Sequence, residues 1–393
     1  MSNRFENVKK NFGFGCMRLP MNGEEVDQQE FTRMVDTFLE AGFNYFDTAR
    51  GYLKGKSETA IRECLVKRYP RESFILTDKL TEPYFETEED IRPFFESQLE
   101  ACGVSYFDFY LMHAQNAENY KKFQKCHAYE TAQRLKEEGK VRHVGISFHD
   151  SAEVLDRILT DHPELEVVQL QFNYADYLDE EVQSKACYDV CRKHGKPVIV
   201  MEPVKGGKLI RLPKKAQDTL DALHGGTNAS YAIRFAASFD NVMMVLSGMS
   251  DMEQMNDNLS FMTRFQPLTP EEQDAVKTAA EIFNAQKMIS CTTCRYCTDG
   301  CPKQIPIPEI FNCVNDKIQY ENEKSKEDYQ TITKEKEKHP TASSVANAKK
   351  PAHNTSRSAN SSKTQPRCLN NFWGRVPIHR NTSPKYKKCL PAQ

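Results

Sequence analysis

Residues 28–48 read Q-Q-E-F-T-R-M-V-D-T-F-L-E-A-G-F-N-Y-F-D-T, and this stretch holds one copy of the pattern from which the fold can be inferred. In its first part, apolar residues recur every three or four positions, which predicts a helix over residues 28–41. The short apolar run that follows, residues 43–48, is typical of a buried strand. The same alternation of long amphipathic and short apolar segments continues from about residue 12 to about residue 248.

Eight strand candidates and the helical patterns between them can be placed along this region. The strands are predicted at residues 12–17, 43–48, 73–79, 107–113, 142–147, 167–172, 197–202 and 242–247. The helices are predicted at residues 28–41, 57–67, 88–102, 120–138, 180–194, 229–238 and 270–287. Eight such repeats indicate parallel strands joined by helical crossovers, and eight strands close a barrel. A doubly wound open sheet is the alternative, but it should carry a G-x-G-x-x-G turn after its first strand, and the sequence has none there. We therefore expect an α/β fold, a (β/α)8 TIM barrel over residues 10–287.

Composition excludes several classes of protein. The chain has 393 residues, 39% of them hydrophobic, and a net charge of −2 with both signs interspersed, so neither a nucleic-acid partner nor a membrane surface is expected. No apolar stretch approaches the roughly 18 residues of a membrane span. The first residues do not resemble a signal peptide, and 13 cysteines in such a chain favour a reducing compartment and metal ligation over disulfides. We expect a cytoplasmic protein.

Four closely spaced cysteines follow the predicted barrel. Cys291, Cys294, Cys297 and Cys301, followed by Pro302, form the run C-x2-C-x2-C-x3-C-P. This spacing is typical of bacterial-type ferredoxins, in which the thiolates bind a 4Fe-4S cluster. A zinc site would need two cysteine pairs across a longer spacer, which is absent from this run. The run predicts a ferredoxin-type 4Fe-4S segment over residues 288–325.

Four polar residues lie at or just after the ends of three successive predicted strands. Asp47, Tyr52, Lys79 and His113 stand where the active sites of such barrels are built. A tyrosine titrates near pH ~10, and a neighbouring ammonium lowers that value, so Lys79 should tune Tyr52 as a general acid. Asp47 should orient Lys79 through an ion pair, and His113 should donate a hydrogen bond to a substrate oxygen. This set predicts reduction of a carbonyl by hydride from a nicotinamide.

In their contexts F-D-T-A-x-x-Y, T-D-K and Y-L-M-H, these residues resemble the tetrad of the aldo-keto reductase family. The resemblance covers roughly residues 10–285, and it extends to the branch whose barrel is fused to a C-terminal ferredoxin-type segment. It implies NADP or NAD as cofactor and a small-molecule carbonyl or alcohol as substrate. It also implies cofactor contacts at Met17, Ser147, Gln169, Met201, Pro203, Gly206, Gly207, Gly248 and Asn258.

The sequence departs from the family pattern at some of these contacts. Phe148 replaces a frequent asparagine, and Met201 stands where many members stack a tyrosine on the nicotinamide. Gly248 and Gln254 stand where many members place a lysine and an arginine around the 2′-phosphate. Without these two charges the choice between NADH and NADPH stays open.

The resemblance also implies a second cysteine run, which this chain lacks. Residues 339–365 are instead rich in Ser, Thr, Asn, Ala and Lys, so we expect residues 334–393 to be disordered. In a shifted reading frame, each new codon consists of the last base of one residue's codon and the first two bases of the next. In that frame cysteine is permitted at the residue pairs 341/342, 344/345, 347/348 and 351/352, and proline is permitted at 352/353. This restores C-x2-C-x2-C-x3-C-P. We interpret the tail as frameshifted near residues 337–339; coincidence is the alternative.

The predicted function is that of an NAD(P)H-dependent oxidoreductase with Tyr52 as general acid and base. Because a cluster transfers single electrons and a hydride carries two, a redox role for the cysteine segment implies an external electron-transfer partner. Otherwise the segment braces the barrel. The first alternative is a non-catalytic redox sensor or regulatory subunit that binds nicotinamide. The second is a damaged product, as the tail suggests.

Overall fold

The computed structural model describes residues 5, 7–223, 225–286, 289, 291, 293, 296–299, 301, 305–320 and 324–336. The chain divides into two compact units. The first comprises Met1–Arg211 and Ala216–Glu281, and the second comprises Leu212–Lys215 and Ile282–Gln393. Within the described residues, no helix has both the length and the apolar character needed to cross a membrane.

Eight parallel strands of the first unit close into a barrel, in the spatial order β1-β10-β9-β8-β7-β6-β5-β4. They are β1 (Phe12–Gly15), β4 (Tyr45–Asp47), β5 (Ile75–Leu80), β6 (Phe107–Gln115), β7 (Val141–Phe148), β8 (Val167–Gln171), β9 (Val198–Met201) and β10 (Val242–Ser247). A short antiparallel hairpin, β2 (Met21–Asn22) and β3 (Glu25–Val26), follows the first strand. The predicted (β/α)8 barrel is confirmed.

Helices follow the barrel strands as expected, and those over residues 152–161, 214–221 and 252–262 lie where no helix was predicted. The helices are α1 (Gln28–Glu40), α2 (Lys56–Ile61), α3 (Glu88–Cys102), α4 (Ala117–Lys125), α5 (Ala128–Glu137), α6 (Ala152–Asp161), α7 (Ser184–Lys193), α8 (Lys214–Asp221), α9 (Asn228–Ala237), α10 (Met252–Met262) and α11 (Pro270–Ala285). The helix predicted over residues 57–67 becomes α2 followed by a π turn, Arg62–Val66. The helix predicted over residues 120–138 is broken at His127, whose φ of 48° is left-handed.

Strand alternation gives the barrel two hydrophobic cores. One residue in two points outward, and a large apolar layer forms where these residues meet the helices. The inward residues of the lower barrel form a second cluster around Tyr45, Ile75, Phe109 and Leu111. Gly145 belongs to this crowded interior, because a Cβ there would lie 2.5 Å from the carbonyl oxygen of Val167. The upper inward positions are polar, and they form the candidate site.

The second unit is described in part. It contains α12 (Tyr296–Asp299), α13 (Ile307–Tyr320) and α14 (Lys324–Lys336), and α13 packs against α14. The Asn315 side chain accepts from the Ile289 N–H at 2.8 Å and donates to the Ile289 carbonyl at 2.9 Å. The first three residues of the predicted tail, 334–336, are helical, and residues 337–393 lie outside the described residues.

Candidate active site

Asp47 and Lys79 form an ion pair inside the upper barrel. Asp47 is the last residue of β4, and Lys79 lies on the neighbouring strand β5 with its side chain fully buried. The Lys79 Nζ donates to Asp47 Oδ1 at 2.7 Å and to the carbonyl oxygen of Thr48 at 2.7 Å. Because both groups are shielded from water, each charge depends on the other for compensation.

Tyr52 lies above this pair in a tight turn. The 3-10 turn Tyr52–Gly55 follows β4, and its residues Leu53 and Lys54 have left-handed φ values of 51° and 58°. Lys79 Nζ lies 4.9 Å from the centroid of the Tyr52 ring. The rings of Tyr52 and His113 meet edge to face with centroids 6.1 Å apart. The structure therefore brings together all four residues of the predicted tetrad.

The electrostatic state of Tyr52 differs from the prediction. Burial raises the pKa of Tyr52 well above its usual value, and the carboxylate of Asp47 raises it further. The positive charge of Arg18 opposes this rise of the Tyr52 pKa, while the charge of Lys79 is compensated by Asp47. The predicted lowering of the Tyr52 pKa by Lys79 is therefore wrong for this structure. The phenol keeps its proton at neutral pH.

Asp47 has a second partner. The Gln169 Nε2 on β8 donates to Asp47 Oδ2 at 3.1 Å. Burial raises the pKa of Asp47, while the ion pair with Lys79 and the amide of Gln169 oppose this rise. Gln169, predicted as a cofactor contact, thus also supports the carboxylate inside the barrel.

His113 is held by a hydroxyl that the sequence analysis missed. The Thr81 Oγ1 lies 2.8 Å from His113 Nδ1 and 3.2 Å from the carbonyl oxygen of Lys79. When the hydroxyl donates to Nδ1, the ring proton is on Nε2, and this tautomer can donate to an oxygen above the site. Thr81 lies two residues after Lys79, and no pattern in the sequence linked it to the histidine.

Comparison with known proteins assigns the family. The sequence profile described as "Aldo/keto reductase family" matches residues 11–281. The chain belongs to the aldo/keto reductase family. The resemblance inferred from the tetrad is thereby confirmed, and membership places the chain among oxidoreductases.

Individual relatives are distant. An NADH-specific methylglyoxal reductase of Escherichia coli (strain K12) is 26% identical over 216 residues, which cover 50% of this chain and 62% of the relative. The uncharacterized oxidoreductase YqkF of Bacillus subtilis (strain 168) is 23% identical over 308 residues, which cover 70% of this chain and 94% of the relative. The chain thus spans less than two thirds of the first relative and nearly the full length of the second.

Solved structures share the fold. An aldo-keto reductase from Bacillus halodurans in its holo form matches with a TM-score of 0.57 at 24% identity, covering 68% of this chain and 91% of that one. An aldo-keto reductase from Klebsiella pneumoniae in complex with NADPH matches with a TM-score of 0.57 at 18% identity, covering 70% and 96%. At these identities the likeness establishes the fold alone.

Two predicted nicotinamide contacts of this aldo/keto reductase lie inside or at the barrel mouth. Ser147 on β7 is buried, and its Oγ accepts from the N–H of Ala114 at 2.7 Å. Ala114 itself has a left-handed φ of 52°, so the serine fixes a strained backbone at the end of β6. Met201 ends β9 and is partly exposed. Both residues lie on strands whose carboxyl ends surround the tetrad.

The loop after β9 carries three of the predicted cofactor contacts. Pro203 is buried, and Gly206 and Gly207 take left-handed φ values of 64° and 91°, which a glycine adopts at little cost. The two glycines thus allow a turn that residues with side chains would adopt only with strain. Lys205, however, forms an ion pair with Asp176, so its charge is already compensated.

The remaining predicted contacts lie around β1 and β10. Met17 is in the turn after β1, and a Cβ at Gly248 would lie 3.6 Å from Arg18 Cβ. The Asn258 Nδ2 on α10 donates to the Ser247 Oγ at 2.9 Å. Sequence analysis missed a pair in this area. The Arg18 Nη2 lies 3.6 Å from the Glu202 Oε1.

Three of the four cysteines of the run are described, all in the second unit. Cys291, Cys297 and Cys301 are partly exposed, and Cys294 lies outside the described residues. The backbone N–H of Thr293 donates to Cys291 Sγ at 3.4 Å, with Thr293 in a left-handed conformation at a φ of 60°. Hydrogen bonds to thiolate sulfur are one of the means by which proteins tune iron–sulfur clusters. This local geometry suits a cluster ligand.

Proposed function

We propose that this aldo/keto reductase reduces a small-molecule carbonyl, or oxidises the corresponding alcohol, with a nicotinamide dinucleotide. The observation that carries the proposal is the buried Lys79–Asp47 pair, with the Lys79 Nζ 4.9 Å from the Tyr52 ring. The barrel mouth thus holds the Tyr52 phenol, the Lys79 ammonium and the His113 imidazole. Together these groups can place a proton beside the polarised oxygen of a carbonyl. The family assignment supports the same reaction class.

The proposed roles follow from the geometry. A bound reduced nicotinamide supplies the hydride that reaches the carbonyl carbon. Tyr52 gives its proton to the developing alkoxide, so the product is the alcohol and the phenolate takes a new proton from water. Asp47 keeps the Lys79 ammonium oriented 4.9 Å from the Tyr52 ring, where it offsets part of the cost of forming the phenolate, although burial and Asp47 still hold the pKa of Tyr52 above its usual value. His113 donates from Nε2 to the same oxygen and fixes its approach.

Several residues suit the dinucleotide, which supports the cofactor part of the proposal. Ser147 and Gln169 present polar side chains at adjacent inward positions of β7 and β8. The glycines at 206 and 207 bring bare backbone to the mouth. The relative from Escherichia coli is named NADH-specific, whereas the structure from Klebsiella pneumoniae contains NADPH. The proposal therefore covers both dinucleotides, and fluorescence titration with each one measures the preference.

Replacement of the phenol tests the proposal. We expect Tyr52→Phe to lose turnover by about 10²-fold or more while dinucleotide binding is retained, since general acid catalysis contributes about 10²–10⁴-fold. Tyr45→Phe is the matched control, because Tyr45 is a buried barrel tyrosine whose hydroxyl accepts from the Thr77 hydroxyl at 2.7 Å. The control should keep its turnover. Unchanged turnover in Tyr52→Phe would exclude the assigned acid.

A binding protein without catalysis is distinguished by the same measurements. It would bind the dinucleotide but reduce none of a panel of small aldehydes and ketones. Wild-type turnover that depends on Tyr52 excludes this non-catalytic sensor.

We further propose that Cys291, Cys294, Cys297 and Cys301 bind a 4Fe-4S cluster that exchanges electrons with an external partner. The spacing of the run and the Thr293 N–H donated to Cys291 Sγ support it. Protein purified without oxygen should be brown, and a reductant should bleach its visible absorbance. A colourless protein containing no iron would refute the cluster.

The tail proposal is tested at the level of the gene. A frameshift near residues 337–339 predicts that an adjacent reading frame encodes C-x2-C-x2-C-x3-C-P over the pairs from 341/342 to 352/353. Sequencing the coding region decides this, since codons that give no cysteine in the alternative frame would end the proposal. A frame-restored chain should bind about twice the iron of the chain as given, because the second run supplies ligands for another cluster.

A further inference from the structure

A cluster of buried polar side chains lies on the outer face of β5, behind the catalytic lysine. Asp78 precedes Lys79 in β5, so strand alternation points the two side chains to opposite faces. Asp78 and Glu58 of α2 are both buried, and one carboxylate oxygen from each lies within 4.8 Å of the other and of the Cys102 sulfur. Two carboxylates at this separation, both shielded from water, repel each other, and a proton on one of them removes the repulsion.

Neighbouring groups show which oxygen is left for that proton. Asp78 Oδ1 accepts from the N–H of Lys79 at 2.7 Å and from Gln98 Nε2 at 2.9 Å. Its other oxygen, Oδ2, accepts from the Cys102 thiol at 3.7 Å, a longer and weaker contact than either of those to Oδ1. The Gln98 Nε2 also donates to the carbonyl oxygen of Lys79 at 3.0 Å and lies 3.4 Å from Glu58 Oε1, and an amide donor between the two carboxyl groups disfavours a metal ion there. Asp78 Oδ2 is therefore the oxygen that can hold the proton.

The count of buried charges also indicates that the two carboxyl groups hold one proton. The Arg50 Nε donates to Glu58 Oε2 at 2.5 Å and balances one negative charge. The nearby Lys79 is already balanced by Asp47. If Glu58 and Asp78 were both ionised, one buried carboxylate would have no compensating cation, which is costly in a protein interior. One bound proton makes the cluster neutral.

The cluster connects two parts of the proposed active site. Arg50 lies in the segment that leads from β4 to Tyr52, and its Nη2 also donates to Ser97 Oγ on α3 at 3.1 Å. Glu58 follows the Tyr52 turn in α2. Asp78 lies next to Lys79 in the chain. The hydrogen bonds of this cluster therefore join the loop that carries Tyr52 to the strand that carries Lys79.

We propose that Glu58 and Asp78 share a single proton and act as positioning residues that hold the Tyr52 turn against the strand of Lys79. The functional half of this inference depends on the proposed roles of Tyr52 and Lys79. The shared proton itself does not depend on them. Burial raises the pKa of Asp78 well above its usual value, and the adjacent Glu58 raises it further, which agrees with a neutral Asp78.

Several other titratable or charged groups lie around the Glu58 and Asp78 carboxyl groups. They are Arg50 before the Tyr52 turn, Cys102 on α3, Tyr110 on β6 and Lys79 on β5 itself. Burial raises the pKa values of Cys102 and Tyr110, so both stay neutral. Arg50 and Lys79 have carboxylate partners. Among these neighbours, the carboxyl pair is therefore the group whose bound proton can differ between the folded and the unfolded chain.

The first experiment measures the proton through unfolding of the full chain. Asp78→Asn keeps the shape of the side chain and removes its titration. An unfolded aspartate titrates near pH ~3.9, so a neutral Asp78 in the folded state means that unfolding of the wild type releases one extra proton above that pH. The unfolding constant of the wild type, relative to Asp78→Asn, should then rise about tenfold per pH unit between pH 5.5 and pH 7.5. Urea denaturation at several pH values measures this ratio.

The shared proton fixes the direction in which the stability of the wild type changes with pH. A group whose folded pKa is raised contributes stability that is lost as the pH rises, so the wild type loses its advantage over Asp78→Asn towards higher pH. A ratio that stays constant with pH would mean that Asp78 is ionised, and it would overturn the shared proton. Glu58→Gln is the second variant, because it leaves Asp78 as the anion for Arg50 and should remove the same pH dependence. The double variant leaves Arg50 without an anion, so its loss should exceed the sum of the single losses.

The second experiment tests the positioning role. Asp78→Ala should lower kcat more than it raises KM, because it loosens the Tyr52 turn, and Asp78→Asn should rescue kcat. The pH profile of the Asn variant should match that of the wild type, since a neutral Asp78 exerts no charge on Tyr52. If the pH profile of kcat for Asp78→Asn were shifted to lower pH relative to the wild type, Asp78 would be ionised in the wild type. Failure of this inference leaves the dependence of turnover on Tyr52 intact, whereas failure of the proposed function leaves the unfolding result intact.

Discussion

Lys79→Met removes the cation from the buried pair while keeping most of the side-chain volume. Among the described residues, the Gln169 Nε2, at 3.1 Å, is then the side-chain donor left to the Asp47 carboxylate. A buried carboxylate without a cation takes up a proton in preference to staying charged. We therefore expect Asp47 to be neutral in the folded variant at pH 7, although it is ionised in the unfolded chain.

The cost follows from that change of state. An unfolded aspartate titrates near pH ~3.9, so holding Asp47 protonated at pH 7 costs about 1.36 × 3.1, or about 4 kcal/mol. This agrees with the range of about 3–5 kcal/mol for removing one partner of a buried ion pair. The raised folded pKa of Asp47 makes the loss grow with pH, so at pH 5 it should be only about 1.5 kcal/mol.

Urea denaturation of the wild type and of Lys79→Met at pH 5 and pH 7 measures the two losses. The control is the double variant Asp47→Asn with Lys79→Met, in which no carboxylate is left to protonate, so its loss should be nearly independent of pH. A single variant whose loss is the same at both pH values would refute the reasoning. So would a double variant that is as unstable as the single variant at pH 7.

Three further outcomes can be checked in the same way. Gly145→Ala should lower the free energy of unfolding by about 1–3 kcal/mol, because its Cβ would lie 2.5 Å from the Val167 carbonyl oxygen; denaturation measures this. Although burial favours the neutral form of Glu166, hydrogen bonds from His143 and Lys136 lower its pKa to about 2. Glu166→Gln should therefore cost about 2 kcal/mol at pH 7, and this difference should vanish as the pH falls from about 4.3 to about 2. Thr81→Val should reduce kcat by about tenfold, while Thr81→Ser, which keeps the hydroxyl on His113, should not; steady-state kinetics distinguishes the two.

Strand periodicity and barrel closure made part of the candidate site predictable. In a closed parallel barrel, the upper inward positions of neighbouring strands face one another. Inward polar residues at the ends of adjacent strands therefore lie close together. Asp47 and Lys79 satisfy this rule on adjacent strands. The sequence therefore predicted their proximity without any knowledge of loop structure.

Other features depended on contacts that no local pattern encodes. Glu58 and Asp78 are 20 residues apart in the chain, and they come within 4.8 Å of each other only in the tertiary structure, where α3 packs against both α2 and β5. The break between α4 and α5 at His127 has no glycine or proline to signal it. Buried residues lie on both sides of the break, Phe123 in α4 and Ala128 in α5. Such features follow from tertiary structure, which overrides local preference.

The wrong sign for the Tyr52 pKa has a related cause. Sequence analysis paired Tyr52 with the nearest cation, but inside the barrel that cation belongs first to Asp47, which lies 2.7 Å from it. The net effect on the phenol is then set by burial and by the carboxylate, both of which favour the neutral form. In the proposed carbonyl reduction this is the state that a proton donor needs, because the phenol carries its proton before the reaction begins.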